Sequence, residues 1–133
     1  MSNILYTIKA RFVKIETIGP VPEGDRKNYH FIAEIIGESL NGTLSGIDYS
    51  LTVNNQVQAH IHEVLTTEQG EKISFERTGT SIEQENPDMV VITGQGQART
   101  AIKHLSWLNT ARITWKAQIP RQGLEFSAEI YQE

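Results

Sequence analysis

The stretch Val57-Gln58-Ala59-His60-Ile61-His62-Glu63-Val64-Leu65-Thr66-Thr67-Glu68-Gln69-Gly70-Glu71-Lys72-Ile73-Ser74-Phe75-Glu76-Arg77 decides the fold. Successive side chains of a strand point to opposite faces. A period of two therefore sets Val57, Ala59, Ile61, Glu63 and Leu65 on one side and Gln58, His60, His62 and Val64 on the other. Glu68-Gln69-Gly70 breaks the alternation, and Gly70 can supply the positive φ that a three-residue hairpin loop with a bulge requires. With that loop Thr67 pairs with Glu71. Glu63 then faces Phe75 and Ile61 faces Arg77, which makes Glu63 and Arg77 diagonal neighbours.

The same period runs outward in both directions. Ile4, Tyr6, Ile8, Ala10 and Phe12 alternate with Leu5, Thr7, Lys9 and Arg11, and then Val13 and Ile15 take the apolar role at the opposite parity, as at a bulge or bend. Gly19 to Asp25, with two prolines and two glycines, reads as a surface loop. Tyr29 to Ile36 is a short strand, followed by Gly37, Gly42 and Gly46 at spacings that suggest a tightly curled sheet. Tyr49, Leu51 and Val53 alternate before a tight turn at Asn54-Asn55.

Gly79 to Asp88 is polar and reads as an exposed loop, and Gly94-Gln95-Gly96 interrupts a strand that starts at Met89. From Trp107 a long strand places Trp107, Asn109, Ala111, Ile113, Trp115, Ala117 and Ile119 on one face. Leu124, Phe126, Ala128 and Ile130 form a closing strand. Arg99 to Leu108 supports no more than a turn or two of helix. Eight or nine strands over residues 1–133 predict one all-β domain, a single closed antiparallel β-barrel with little helix, in which no edge is left to aggregate.

Twelve Lys and Arg against sixteen Asp and Glu leave a formal charge of −4 with no basic run, so nucleic acid is not expected as a partner. The absence of cysteine excludes disulfides and thiolate zinc sites, and a cytoplasmic setting is expected. Thr7 and Lys9 interrupt the N-terminal apolar run, and no window approaches the roughly 20 apolar residues of a membrane-spanning helix, so no membrane partner is expected. Ten aromatic residues are few for the girdles of an outer-membrane barrel.

His60 and His62, two apart on a strand, could both reach one ion, yet His30 and His104 are far away in sequence and no recognised motif adds a third ligand. Neither a metal nor another cofactor is expected. Glu63 shares a side with apolar residues, so it must be paired, as with Arg77, or hold a proton as an acid or base facing a ligand. Asn109 is the polar member of an apolar row. It either satisfies loop backbone or points into a cavity beside Trp107 to orient a ligand. Gly94-Gln95-Gly96 is too short for a dinucleotide-binding fingerprint.

The order of these pieces resembles the uncharacterised DUF3237 family, also called UPF0311. The resemblance is carried by Gly42-Thr43-Leu44-Ser45-Gly46-Ile47-Asp48-Tyr49, the hairpin ending Leu65 to Gly70, Gly79, and Trp107-Leu108-Asn109. It implies a calycin-like barrel with a central cavity and brings no established activity. Asp48 and Tyr49 thereby join Trp107, Asn109 and Arg77 as candidate ligand-binding residues. The family usually carries an Asp and an Arg two residues apart where this chain has His60 and His62. That correspondence turns the histidines into the cavity, whereas parity turns Glu63 inward, and both assignments stand at this point. The leading reading is a barrel that binds a small, partly apolar molecule. The rivals are a cofactor-free isomerase, cyclase or lyase using His60, His62 or Glu63 for proton transfer, and a homo-oligomeric interaction module without a ligand.

Overall fold

The structure, a computed structural model, describes residues 3–133. Eight strands follow in order: β1 (Asn3–Val21), β2 (Gly24–Ile36), β3 (Gly42–Val53), β4 (Gln56–Thr67), β5 (Lys72–Ile82), β6 (Met89–Arg99), β7 (Ile113–Pro120) and β8 (Glu125–Gln132). Each is antiparallel to the next, and β8 returns to β1 to close the barrel. The deciding hairpin forms in the expected register. The Thr67 amide donates to the Glu71 carbonyl at 2.8 Å, Gly70 has φ +83°, and Glu63 and Ile61 pair with Phe75 and Arg77.

Alternation fills the interior with Tyr6, Ile8, Phe31, Leu44, Leu65, Ile73, Phe75, Trp115 and Ile130, all buried. The outer wall carries Lys9, Arg11, Glu34, Glu76 and Lys116, all exposed, with Ile32, Ile36 and Val64 among them. Among the described residues, no helix is long and apolar enough to cross a membrane.

One end of the barrel is covered. A 3-10 helix, Lys103–Thr110, buries Leu105 and Leu108 there, and the β2–β3 connection adds buried Leu40. The opposite end is ringed by the Asn54-Asn55 turn, the 83–88 loop and the β7–β8 turn, and it stays open.

Four expectations are corrected. Gly19 to Asp25 is no loop: β1 and β2 continue as a ladder to Val21 and Gly24, with Gly19 at φ +98° beside a register shift. This far part of β1 lies beyond its pairing with β8, so it is an edge, where proline costs no ladder bond to a second neighbour. β5 continues to Ile82, which shortens the expected 79–88 loop. β6 runs through Gly94-Gln95-Gly96 unbroken, because Gly94 lets the Thr78–Gly79 backbone approach closely and Gly96 leaves room for the Arg77 side chain. A Cβ on Gly79, the ladder partner of Gly94, would lie 2.6 Å from Cζ2 of Trp115. Finally, β7 begins at Ile113, not at Trp107. Trp107 and Asn109 belong to the 3-10 helix, and only Ile113, Trp115, Ala117 and Ile119 of the expected row share the inner face. The expected parity switch after Phe12 does occur, as a bulge between Phe12 and Lys14 that pairs Ile15 with Tyr29 and brings it to the open end, where Ile15, like Val13, stays partly in solvent.

Candidate functional site

Inside the barrel, Arg77 Nε and Nη2 donate to the two carboxylate oxygens of Glu63 at 2.7 and 2.8 Å. Gly46, opposite Glu63 on β3, makes this possible, since a Cβ there would lie 2.6 Å from the Cβ of Glu63. The guanidinium also sits 4.7 Å from the ring centroid of Trp115, whose indole N–H donates to the Thr78 and Gln95 carbonyls at 3.1 Å each. Burial works against the Arg77 charge, but the Glu63 carboxylate outweighs it and raises the pKa. Burial, and then the Glu63 charge, hold the neighbouring Tyr6 phenol well above its ordinary range. This planar, bidentate pair is a fixed floor for whatever lies above it.

Above that floor the inner face changes character. Along β3 the inward positions run Leu44, Gly46, Asp48, Ser50 and Thr52, apolar at the covered end and polar at the open end, while Tyr49 is exposed. The apolar alternation Tyr49, Leu51, Val53 therefore does not mark the inner face. A cleft of about 830 Å³ opens here, lined by Phe12, Tyr29, Asp48, Ser50, Val57, Ile92 and Ile119 and rimmed by Lys27, Asn54, Asn55, Gln56 and Asn86. Phe12, Asp48, Ile92 and Ile119 also border a small space of about 20 Å³ that reaches down to Arg77 and Trp115. That space has room for about one water molecule.

Asp48 is the chemically distinctive group of this cleft. Its Oδ1 accepts the backbone N–H of His60 at 3.0 Å, at a point where β3 and β4 lack regular ladder pairing between Asp48–Ile61 and Leu51–Gln58. Burial pushes its carboxyl up to about 6, against the lowering pulls of the His60 amide and the Arg77 charge. Tyr29, on the cleft wall, is raised by its own burial and then by the charges of Asp48 and Asp25. Phe12 packs against Tyr29 with ring centroids 5.1 Å apart and stacks on Phe126 at 4.5 Å, giving the cleft one aromatic wall.

The expected site residues thus divide into three groups. Asp48 and Arg77 face the interior at the open end, and Glu63 is locked to Arg77. His60 and His62 project outward into solvent, so parity, and not the family correspondence, decides that strand. Tyr49 is outside with them, its ring 6.2 Å from His62. Trp107 and Asn109 lie at the covered end. Asn109 Oδ1 accepts the Thr100 N–H at 2.8 Å and its Nδ2 donates to the Thr100 carbonyl at 3.0 Å, so its amide satisfies loop backbone and faces no cavity. The cleft residues Tyr29 and Ser50 were missed. Their signal was the polar inner parity Asp48-x-Ser50-x-Thr52, which is what a strand lining a wet mouth should show.

No protein-family model matches the chain, and no curated protein sequence matches it. Solved structures do. A protein of unknown function from Clostridium acetobutylicum superposes with a TM-score of 0.88 at 14% identity, covering 99% of this chain and 97% of that one. A β-barrel-like protein from Acinetobacter baumannii gives 0.84 at 18%, covering 99% and 94%. An enzyme from Penicillium herquei gives 0.67 at 15%, covering 98% and 93%. At these identities the likeness establishes the barrel fold alone.

Proposed function

We propose that the protein binds a small molecule of mixed polarity in the open-end cleft, its apolar part against Phe12, Ile92 and Ile119 and its polar part at Asp48. One observation carries this reading: the open mouth of the packed barrel holds a partly buried carboxyl displaced to about 6. A cleft with an apolar wall and a few placed polar groups is the usual form of a small-molecule site, and a strongly displaced acid within it is a functional marker. The resemblance to DUF3237 belongs to the same proposal, with the ligand met by Asp48 and not by the outward histidines.

The displaced carboxyl also favours a second reading, cofactor-free proton transfer. A carboxyl near 6 holds a proton part of the time at neutral pH and can give or take one from a ligand with little driving force lost. Asp48 replaces His60, His62 and Glu63 as the group for that role. The Penicillium herquei enzyme, a distant fold neighbour, is consistent with chemistry on such a barrel.

The test is an NMR fragment screen of small phenols, lactones and carboxylic acids against the amide spectrum of the protein. Binding predicts shift changes centred on Phe12, Asp48, Ser50, Ile92 and Ile119, weakened in Asp48→Asn. Hits that cluster at the outer wall, or that bind Asp48→Asn equally well, would contradict the proposal. A hit that emerges chemically altered from wild type but not from Asp48→Asn selects the proton-transfer reading.

A further inference from the structure

We infer that the outer wall carries a divalent transition-metal site formed by His60, His62 and Glu76, separate from the cleft. His60 and His62 are two apart on β4 and so project from one face, and Glu76 is the ladder partner of His62 on β5. Their donor atoms converge. Nε2 of His60 lies 3.3 Å from Nε2 of His62 and 3.2 Å from Oε1 of Glu76, and His62 Nε2 lies 3.7 Å from the same oxygen.

These separations suit an ion. Zinc bonds of about 2.0–2.1 Å to nitrogen and carboxylate oxygen place tetrahedral ligand atoms about 3.3–3.4 Å apart, close to all three distances. Hydrogen bonding alone satisfies the trio poorly. Each Nε2 offers either one N–H or one lone pair, so His60 Nε2 can donate to Glu76 or accept from His62 but cannot do both. Two neutral imidazoles and one carboxylate are the donor set of zinc, nickel and copper(II), not of calcium or magnesium, which take oxygen.

The surroundings hold the trio in place. Both strands belong to a closed sheet, and the Tyr49 ring stands edge-on to His62 at 80°. All three residues are exposed, so an ion would have three protein ligands and its remaining positions open to water. That is the coordination of reactive, not purely structural, zinc. His60 also joins this face to the cleft, because its backbone N–H is the donor to Asp48.

The probe is Zn²⁺ titrated calorimetrically into tag-free full-length protein, with Co²⁺ as a second probe read by its visible absorption. The expected result is one ion per chain. Affinity should fall by about tenfold or more in His62→Ala and in Glu76→Gln, since even outer-shell partners of metal ligands are worth that much. It should be unchanged in His30→Ala, which removes the histidine paired with Glu16 instead. Circular dichroism of each variant should match wild type, because the altered side chains are exposed. No saturable binding, or binding that survives His62→Ala and Glu76→Gln, would overturn the inference. Neither result depends on whether the cleft binds a ligand.

Discussion

Glu63 and Arg77 meet through two hydrogen bonds of 2.7 and 2.8 Å although their Cα positions are diagonal, not opposite, on the β4–β5 ladder. Both side chains are almost fully buried. Breaking such a pair strands a charge in the core, whereas replacing both members removes the demand for a partner.

Arg77→Ala should therefore cost about 3–5 kcal/mol, a large share of the stability of a domain this size. The double variant Glu63→Leu with Arg77→Met should lose much less than either single truncation, Arg77→Ala or Glu63→Ala. Urea denaturation of the three proteins checks this, and equal losses in all three would contradict it.

A displaced Asp48 has a signed consequence for stability. Its folded pKa of about 6 stands above the unfolded value of 3.8, so between those pH values the native state holds the extra proton. Stability from this group is then full at low pH and is lost as pH rises towards 6. Asp48→Asn can still accept the His60 amide but carries no charge to bury. It should be more stable than wild type at pH 7 by about 1–3 kcal/mol, with the difference vanishing near pH 4. Denaturation curves of both proteins across that range measure it.

Gly79→Ala should destabilise the barrel by about 1–3 kcal/mol through overpacking. The new methyl would lie 2.6 Å from both Cζ2 of Trp115 and the Thr93 carbonyl oxygen. A shifted Trp115 fluorescence and near-ultraviolet signal should accompany the loss, and an unperturbed Trp115 would contradict it.

Asn109→Ala removes both hydrogen bonds to Thr100 and should cost about 1–2 kcal/mol. Amide exchange should quicken in residues 100–110 alone. Ligand binding in the cleft should be unchanged, because Asn109 is at the covered end.

The hairpin register was legible because a three-residue loop leaves one pairing open, and from it followed the diagonal placing of Glu63 and Arg77; which face of that strand turns inward stayed open between parity and the family correspondence. Glu76 was legible by the same count. Pairing Thr67 with Glu71 sets His62 opposite Glu76, so the third donor of the outer trio lies across the hairpin and not among the distant histidines His30 and His104. The barrel was legible from repeated alternation, and the Asn54-Asn55 turn from its residue types, with φ of +50° and +66°.

Other features depended on tertiary packing. Trp107, Asn109 and Ala111 continue the parity of Ile113 and Trp115 by coincidence, and only the burial of Leu105 and Leu108 over the barrel end makes that segment a 3-10 helix. Gly94 and Gly96 look like breaks until the Thr78–Gly79 backbone and the Arg77 side chain are placed against them. β3 misleads because its mouth-facing half is polar inside. A rule that puts apolar residues inward fails where the interior is a cleft.

The most direct test of the cleft as the functional site is the ¹³C carboxyl titration of Asp48, recorded with and without the best fragment from the NMR screen. A midpoint near 6 in the free protein, moved by the fragment, is the expected result. A midpoint near the ordinary aspartate value of about 4, indifferent to the fragment, would contradict it.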